Sequence, residues 1–269
     1  MCGTVLDCAP VQPPLHRNPL SDFFMLEILT LPQLLFAFAV IILAYIVRGI
    51  TGFGSALIAV PLLAFILPLT IIVPLMVLLD FIAAASHGLH HRRAVRWSLI
   101  LPLLPFTLTG VGGALYLLKS VDVSVLRQAL GVFIIGYALY SLFSPRLHKI
   151  RHSLLLAMPA GSFGGLIGTL FGTGGPFYVI YLQLQGIDKT SFRATIASIF
   201  LIDGGLRLSG FVSAGFYPRD TLMLVFSALP VMLSALYIGG HIHTRLRPET
   251  FQRGIGLLLI GSGIGLLLN

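Results

Sequence analysis

Charged residues are scarce in this chain of 269 residues. Asp, Glu, Lys and Arg make up 10% of it, and 57% of its residues are hydrophobic. A soluble domain carries about 25% charged and about 45–50% apolar residues. The shortage of charge therefore excludes a soluble enzyme, a nucleic-acid-binding domain and a disordered protein. A membrane span needs about 20 residues, so the composition predicts an all-α, polytopic membrane protein.

Residues and motifs that support enzyme chemistry are also missing. Both cysteines, Cys2 and Cys8, lie in the N-terminal tail, so we expect no metal or redox framework. The chain has no ATP-binding motif, no HExxH-like run and no Ser/His/Asp spacing typical of nucleophilic catalysis. Its eight histidines lie in the tail and in or beside basic loops, without Cys or acidic neighbours, which does not favour zinc. We therefore expect no enzyme activity, no cofactor and no metal.

Apolar segments separated by charged or Gly/Pro-rich stretches predict eight to ten transmembrane helices. The segments are Leu31–Val47, Ile50–Leu67, Leu69–Gly88, Ser98–Leu118, Ser124–Phe143, Leu154–Phe171, Pro176–Leu184, Ala194–Val212, Thr221–Gly240 and Phe251–Leu268. The Pro176–Leu184 segment is too short to cross alone, so we expect it to be half of a broken span. Ten crossings place most of the 17 Lys and Arg residues on one side, as the positive-inside rule requires. Eight crossings fit that rule less well.

Short blocks recur in the same order in the two halves, which predicts an internal duplication. Thr51–Ser55 aligns with Thr169–Thr173 at an offset of 118, and Leu78–Asp80 aligns with Leu201–Asp203 at an offset of 123. Basic loops of one half match loops with little charge in the other, which indicates inverted repeats. We predict an N-terminal polar tail (1–30), transmembrane repeat 1 (31–143), a basic cytoplasmic linker (144–153) and transmembrane repeat 2 (154–269).

Gly/Pro-rich segments occur at matching places in the two repeats, Gly49–Pro61 and Gly165–Phe177. Such interruptions are typical of secondary transporters, where broken helices expose backbone N–H groups to an anion. The alternative is that these glycines only allow helices to pack closely, and the two interpretations are compatible. The candidate binding residues in the two segments are Gly52, Gly54, Ser55, Gly172, Thr173, Gly174 and Gly175.

Charged residues inside apolar segments are the second set of candidates, because charge in a bilayer is costly and usually functional. Asp80 and its repeat partner Asp203 lie in the middle of their segments, Arg207 lies one helical turn after Asp203, and Arg48 precedes the first glycine motif. One interpretation is structural: Asp203 and Arg207 form an ion pair, and Arg48 reaches the membrane interface. In the other, the arginines bind an anion and the carboxylates supply counter-charge or a proton site.

The two glycine motifs resemble those of the sulfite exporter TauE/SafE family. Further similarity lies in the blocks Leu126–Gly136 and Phe251–Gly261, each in the last span of its half. The resemblance covers about residues 30–268 and implies a permease for sulfur-containing anions such as sulfite or sulfonates. The first motif departs from the family pattern, because it reads Gly-Phe-Gly-Ser-Ala where the second keeps Gly-Thr-Gly-Gly-Pro. The identity of the substrate therefore stays open at this point.

The sequence and the resemblance together predict a secondary transporter of small anions that works by alternating access. An anion channel and a membrane-embedded enzyme or assembly factor are the alternatives. The expected partners are a small anion and the lipid bilayer of the cell (inner) membrane, and no nucleic acid. Proton coupling and self-association are left open.

Overall fold

The computed structural model describes residues 30–52, 54–87, 94–143, 154–241 and 248–268, and every regular element in these ranges is helical. A short 3-10 turn, Leu154–Leu156, precedes the helix that begins at Ala157. The helices are α1 (Leu31–Thr51), α2 (Ser55–Leu63), α3 (Leu69–His87), α4 (Trp97–Ile100), α5 (Leu103–Ser120), α6 (Val123–Phe143), α7 (Ala157–Phe171), α8 (Gly175–Leu184), α9 (Lys189–Ser213), α10 (Arg219–His241) and α11 (Pro248–Leu268). The all-α prediction is confirmed. The tail before residue 30 and the linker 144–153 lie outside the described residues.

Among the residues that the structure describes, five helices are long and apolar enough to cross a bilayer: Leu31–Thr51, Trp97–Ser120, Val123–Tyr140, Thr190–Ser213 and Thr221–His241. Leu69–Ala85, Ala157–Phe171 and Gly256–Leu268 are apolar but shorter. Large hydrophobic side chains are exposed on the outside of the protein, including Leu35, Tyr116, Phe226 and Leu257. A surface of this kind suits lipid rather than water.

The predicted segment Ile50–Leu67 is not one helix, which corrects the sequence-based boundary. Helix α1 continues to Thr51, and α2 begins at Ser55. Gly52 and Gly54, with φ of 85° and 94°, have left-handed backbone conformations that interrupt the helix. The nine residues of α2 span about 14 Å at 1.5 Å per residue, which is half the thickness of the hydrocarbon layer.

Helices of one half pack mainly on helices of the other half. Helix α5 packs on α7, α10 packs on α1, α3 packs on α9, and α6 packs on α11. The predicted duplication makes α1 equivalent to α7 and α5 equivalent to α10. Exchanging the two halves then turns the α5–α7 pair into the α10–α1 pair, so the pattern of pairing is symmetric. The inverted orientation of the two repeats in the membrane stays a prediction.

Glycines allow the closest of these helix pairs to form. A Cβ on Gly110 of α5 would lie 2.3 Å from the Ser162 carbonyl oxygen of α7, and one on Gly165 of α7 would lie 2.4 Å from the Thr107 carbonyl oxygen. In the α1–α10 pair, a Cβ on Gly239 would lie 2.4 Å from the Ile46 carbonyl oxygen. No residue other than glycine fits such distances without moving a helix, as in the small-residue contacts of membrane helices.

Candidate functional site

Two helix breaks lie at the centre of the site. The first separates α1 from α2 at Gly52 and Gly54, and the second separates α7 from α8 after Gly172, whose φ is 71°. The residues that precede α2 and α8 are Gly54 and Gly174, and neither has a side chain to cap the helix. At the start of α8, Pro176 has no N–H and the Phe177 N–H donates to the Gly174 carbonyl oxygen, which leaves the Gly175 N–H to face an external acceptor. The positive ends of both helix dipoles lie beside the breaks.

The two breaks contact each other across the halves. A Cβ on Gly172 would lie 3.0 Å from the Cβ of Ala56, which is the second residue of α2. Gly174 packs behind the break, since a Cβ there would lie 2.3 Å from the Gly164 carbonyl oxygen. The second motif therefore combines close packing with a helix break. Gly174 provides the close packing, and Gly172 provides the break.

The first charged pair is Asp80 with Arg48. Their side chains approach to 2.5 Å between Nη1 of Arg48 and Oδ1 of Asp80. Tyr45 and Ser55 donate hydrogen bonds of 2.6 Å and 2.7 Å to the same Oδ1. Arg48 also donates to the Ser55 hydroxyl and, through Nη2, to the Asp80 carbonyl oxygen, at 3.0 Å each. This network fixes the end of α1 to the start of α2 and to α3.

The second charged pair is Asp203 with Arg207, one turn apart on α9. Arg207 Nη2 donates to Oδ2 of Asp203, and Tyr178 of α8 donates to Oδ1 at 2.9 Å. Arg207 Nη1 donates to the Gly168 carbonyl oxygen of α7 at 2.9 Å. A Cβ on Gly168 would lie 3.1 Å from the Arg207 guanidinium carbon, so glycine is needed for this approach. The pair therefore joins α9 to both helices that flank the second break.

One cavity is lined by both helix breaks and by both arginines. Its wall includes Arg48, Gly54 and Asp80 from the first half and Thr173, Gly175 and Arg207 from the second. It encloses about 560 Å³ of space free of atoms, counting its open mouth. Arg48 and Arg207 are only 8% and 7% exposed, so their guanidinium groups are held inside the protein.

Several buried polar side-chain groups in the described part of the chain have no hydrogen-bond partner. The Thr173 hydroxyl and Nε of Arg207 are two of them, and the Thr169 hydroxyl is another. An unsatisfied buried polar group costs about 1–3 kcal/mol. Two of these groups belong to residues of the cavity wall, where an oxyanion would accept hydrogen bonds from them.

The comparison with protein families identifies the chain. The family model described as "Sulfite exporter TauE/SafE" matches residues 37–266. The chain belongs to this family. As a TauE/SafE protein with several apolar helices, it is a membrane transporter located in the inner membrane with multiple passes.

Two curated relatives of this TauE/SafE protein are named as membrane transporters or exporters. It is 29% identical over 205 residues to the "Probable inner membrane transporter protein TsaS" of Comamonas testosteroni, covering 71% of this chain and 81% of the relative. It is 26% identical over 228 residues to the "Probable sulfite/organosulfonate exporter TauE" of Cupriavidus necator, covering 82% and 88%. No solved structure matches the chain significantly.

The structure of this TauE/SafE protein brings most of the predicted site residues together. Arg48, Gly54, Asp80, Gly172, Thr173, Gly175 and Arg207 line the cavity. Ser55, Gly174 and Asp203 lie behind its wall, where they hold the lining residues. Gly52 instead ends α1 on the exposed surface. The alternative in which Arg48 reaches the membrane interface does not fit, because its side chain points to Ser55 and Asp80.

Four aromatic residues at the site were not predicted from the sequence. Tyr45 and Tyr178 hold the two carboxylates, and Phe81 and Phe200 line the cavity. Helical spacing carried a signal for two of them, because Tyr45 precedes Arg48 by three residues and Phe200 precedes Asp203 by three. Residues three apart share one face of a helix.

Proposed function

We propose that this protein is a secondary transporter of small anions, sulfite or a small organosulfonate, and that it binds them in the cavity between the two helix breaks. One observation carries the proposal. Two buried arginines and the uncapped starts of α2 and α8 line the same cavity. Relatives named as transporter and exporter support the assignment.

The unpartnered donors favour an oxyanion as the ligand. The Thr173 hydroxyl and the Arg207 Nε–H lack acceptors, and the Gly175 N–H at the start of α8 has no side-chain cap. A sulfonate or sulfite group presents three oxygens, so it can accept from several donors of this kind. Hydrogen bonds to a charged group are worth about 1.5–3 kcal/mol each, so binding would relieve the penalty of the unsatisfied groups.

The position of the cavity between the halves supports alternating access as the mechanism. The first break belongs to repeat 1 and the second to repeat 2, so movement of one repeat relative to the other would open the site first to one side and then to the other. A carrier of this kind exchanges substrate across the membrane, whereas an anion channel does not. Countertransport therefore distinguishes the two functions.

We propose that transport is coupled to protons and that Asp80 is the proton site. Its side chain is 23% exposed, whereas that of Asp203 is 3% exposed, so water from the cavity reaches Asp80 far more easily. The rate of transport by the wild type in proteoliposomes should fall when the pH gradient is collapsed. The rate of transport by Asp80→Asn should be the same with and without the gradient. An unchanged wild-type rate without the gradient would contradict the assignment.

Binding is tested by the thermal stability of the purified protein in the presence of sulfite, sulfate, thiosulfate, methanesulfonate and acetate. A ligand at 100 times its Kd stabilises the folded state by about 2.7 kcal/mol, so at least one sulfur anion should raise Tm. The double variant Asp203→Asn/Arg207→Gln should lose the shift. Lys119→Gln, at the exposed end of α5, should retain it. Equal shifts in all three proteins would place the anion elsewhere.

A further inference from the structure

Two phenylalanine rings form part of the cavity wall, and the transport proposal assigns neither a role. Phe81 follows Asp80 on α3 and packs on α9, where a Cβ on Gly204 would lie 3.4 Å from the ring. Phe200 lies on α9 and covers the start of α8, since a Cβ on Gly175 would lie 3.3 Å from its ring. Both residues line the same cavity as Arg207 and Thr173.

The position of Phe200 relates it to the candidate anion site. Gly175 begins α8 and Thr173 lies two residues before it, and the Phe200 ring lies within van der Waals range of Gly175. An oxyanion bound to the Thr173 hydroxyl and to the Gly175 N–H would therefore have this ring as an apolar neighbour. Whatever substituent the anion carries must pass beside or against the ring.

The rest of the wall continues this apolar surface. Leu57 and Val77, both buried, line the cavity together with Phe81. A bare inorganic anion is hydrated on every side, and an apolar wall offers it nothing in place of that water. A short hydrocarbon substituent, by contrast, gains about 0.8 kcal/mol for each methylene transferred from water to such a wall, which is a factor of about four in affinity.

The rings are not duplicated between the repeats. At the offset of 123 that aligns Asp80 with Asp203, Phe81 aligns with Gly204, and Val77 aligns with Phe200. Phe81 packs against Gly204 itself, so a large side chain at 204 would displace the ring. The carboxylates of the two repeats therefore lie at equivalent positions, whereas the aromatic rings lie at positions that are not equivalent.

We infer that Phe81 and Phe200 determine specificity by contacting the organic substituent of the transported anion, while the arginines and helix ends bind its charged group. The inference rests on the proposed function. It predicts that the site discriminates between anions with the same charged group by the size of the apolar part. Phe200 sets this preference most directly, because it lies over the start of α8.

The test measures Kd by calorimetry for sulfite, methanesulfonate and propanesulfonate with the purified full-length chain. The quantity of interest is the Kd for methanesulfonate divided by that for propanesulfonate. Two methylenes should make this ratio about ten or more in the wild type. Phe200→Ala and Phe81→Ala should each lower it at least threefold, while the affinity for methanesulfonate changes less than threefold.

Phe177→Ala is the matched control. Its ring stacks on Phe133 and Phe163 and does not belong to the cavity wall, so the ratio should equal that of the wild type. If an alanine variant does not fold, Phe200→Leu and Phe81→Leu provide the same readout with most of the volume kept, and each should lower the ratio.

Two results would overturn the inference and leave the proposed function standing. One is a wild-type ratio near one, and the other is a ratio that neither Phe200 nor Phe81 variants change. If the wild-type chain binds none of the three anions, the proposed function itself fails, and the inference fails with it. The outcomes are therefore distinguishable in a single set of titrations.

Discussion

Each buried arginine at the site is neutralised by an aspartate that a tyrosine holds in place. Asp80 accepts from Tyr45, and Asp203 accepts from Tyr178. The hydroxyl groups fix the carboxylates, and the carboxylates fix the guanidinium groups, so the arginines are oriented before an anion arrives. Pre-organised charged donors of this kind bind an anion without first paying for side-chain ordering.

Removing one member of the Asp203–Arg207 pair should be worse for stability than removing both. Arg207→Ala leaves a carboxylate that is 3% exposed without its counter-charge, which costs about 3–5 kcal/mol. Asp203→Asn/Arg207→Gln leaves no unpaired buried charge and should unfold at a clearly higher temperature than Arg207→Ala. Thermal unfolding in detergent measures the difference. Equal stability of the two variants would contradict the buried ion pair.

Sequence reasoning could identify the charged residues of the site but not their partners. Asp80 and Asp203 stand out because carboxylates are rare in apolar segments and because the two align. Tyr45, Phe81 and Phe200 are ordinary residues of an apolar helix, and their role depends on how α1, α3 and α9 are rotated toward each other. That rotation is set by packing between distant segments, which a single sequence does not specify.

At the scale of helices, some glycines lie where a neighbouring helix leaves no space for a Cβ, and others lie where a Cβ would fit. On α5, a Cβ on Gly110 would lie 2.3 Å from the Ser162 carbonyl oxygen, whereas one on Gly112 would meet nothing within 4 Å. We predict that Gly110→Ala forces α5 and α7 apart at a cost of about 1–3 kcal/mol. Gly112→Ala should leave stability unchanged or raise it slightly, because alanine favours helix.

Denaturation of the purified protein, followed by tryptophan fluorescence or circular dichroism, compares the two alanine variants directly. The same pattern is expected in α10, where a Cβ on Gly239 would lie 2.4 Å from the Ile46 carbonyl oxygen and one on Gly240 would meet nothing within 4 Å. A loss of stability for Gly112→Ala as large as for Gly110→Ala would contradict the close-packing explanation, because a Cβ on Gly112 meets nothing within 4 Å.

The start of α9 provides a test outside the membrane-spanning segments. Asp188 caps the helix, since its carboxylate accepts from the Ser191 N–H at 3.0 Å. This hydrogen bond lowers the pKa of Asp188 below its ordinary value. The ionised cap therefore stabilises the fold above the unfolded-state pKa of about 3.9, and this contribution disappears as the pH falls through the lowered pKa.

Asp188→Ala should accordingly lower Tm at neutral pH, and the difference from the wild type should shrink below about pH 4. Asp188→Asn is the control, because asparagine caps helices about as well as aspartate and carries no charge. Its Tm should stay close to that of the wild type at neutral pH. A difference between wild type and Asp188→Ala that is the same at every pH would rule out the ionised cap.

The second helix break could be positioned from the sequence, because the predicted segments end at Phe171 and resume at Pro176, and the helices end at Phe171 and begin at Gly175. The position of the first break could not be predicted. The apolar run Ile50–Leu67 has no charge or polar cluster to mark a boundary, so it is read as one segment. The break depends on Gly52 and Gly54 adopting left-handed conformations, and many glycines in membrane helices remain helical. Gly164 and Gly168 of α7 are examples within this chain.

The whole molecule is organised around contacts between its halves rather than within them. The pairs α1–α10, α3–α9, α5–α7 and α6–α11 join the halves, and each half contributes one helix break and one arginine to a shared cavity. Composition was sufficient to predict a membrane protein, and the aligned blocks to predict two related halves. The shared cavity required the structure, because it forms only where α3 and α9 pack together.

Solute counterflow in proteoliposomes tests the central claim most directly. Vesicles are preloaded with unlabelled methanesulfonate, and labelled methanesulfonate is added outside. A carrier that binds the anion in this cavity should accumulate label transiently above equilibrium in the wild type and in Lys119→Gln, but not in Asp203→Asn/Arg207→Gln. Label that only equilibrates in the wild type, or an overshoot of equal size in the double variant, would contradict the account.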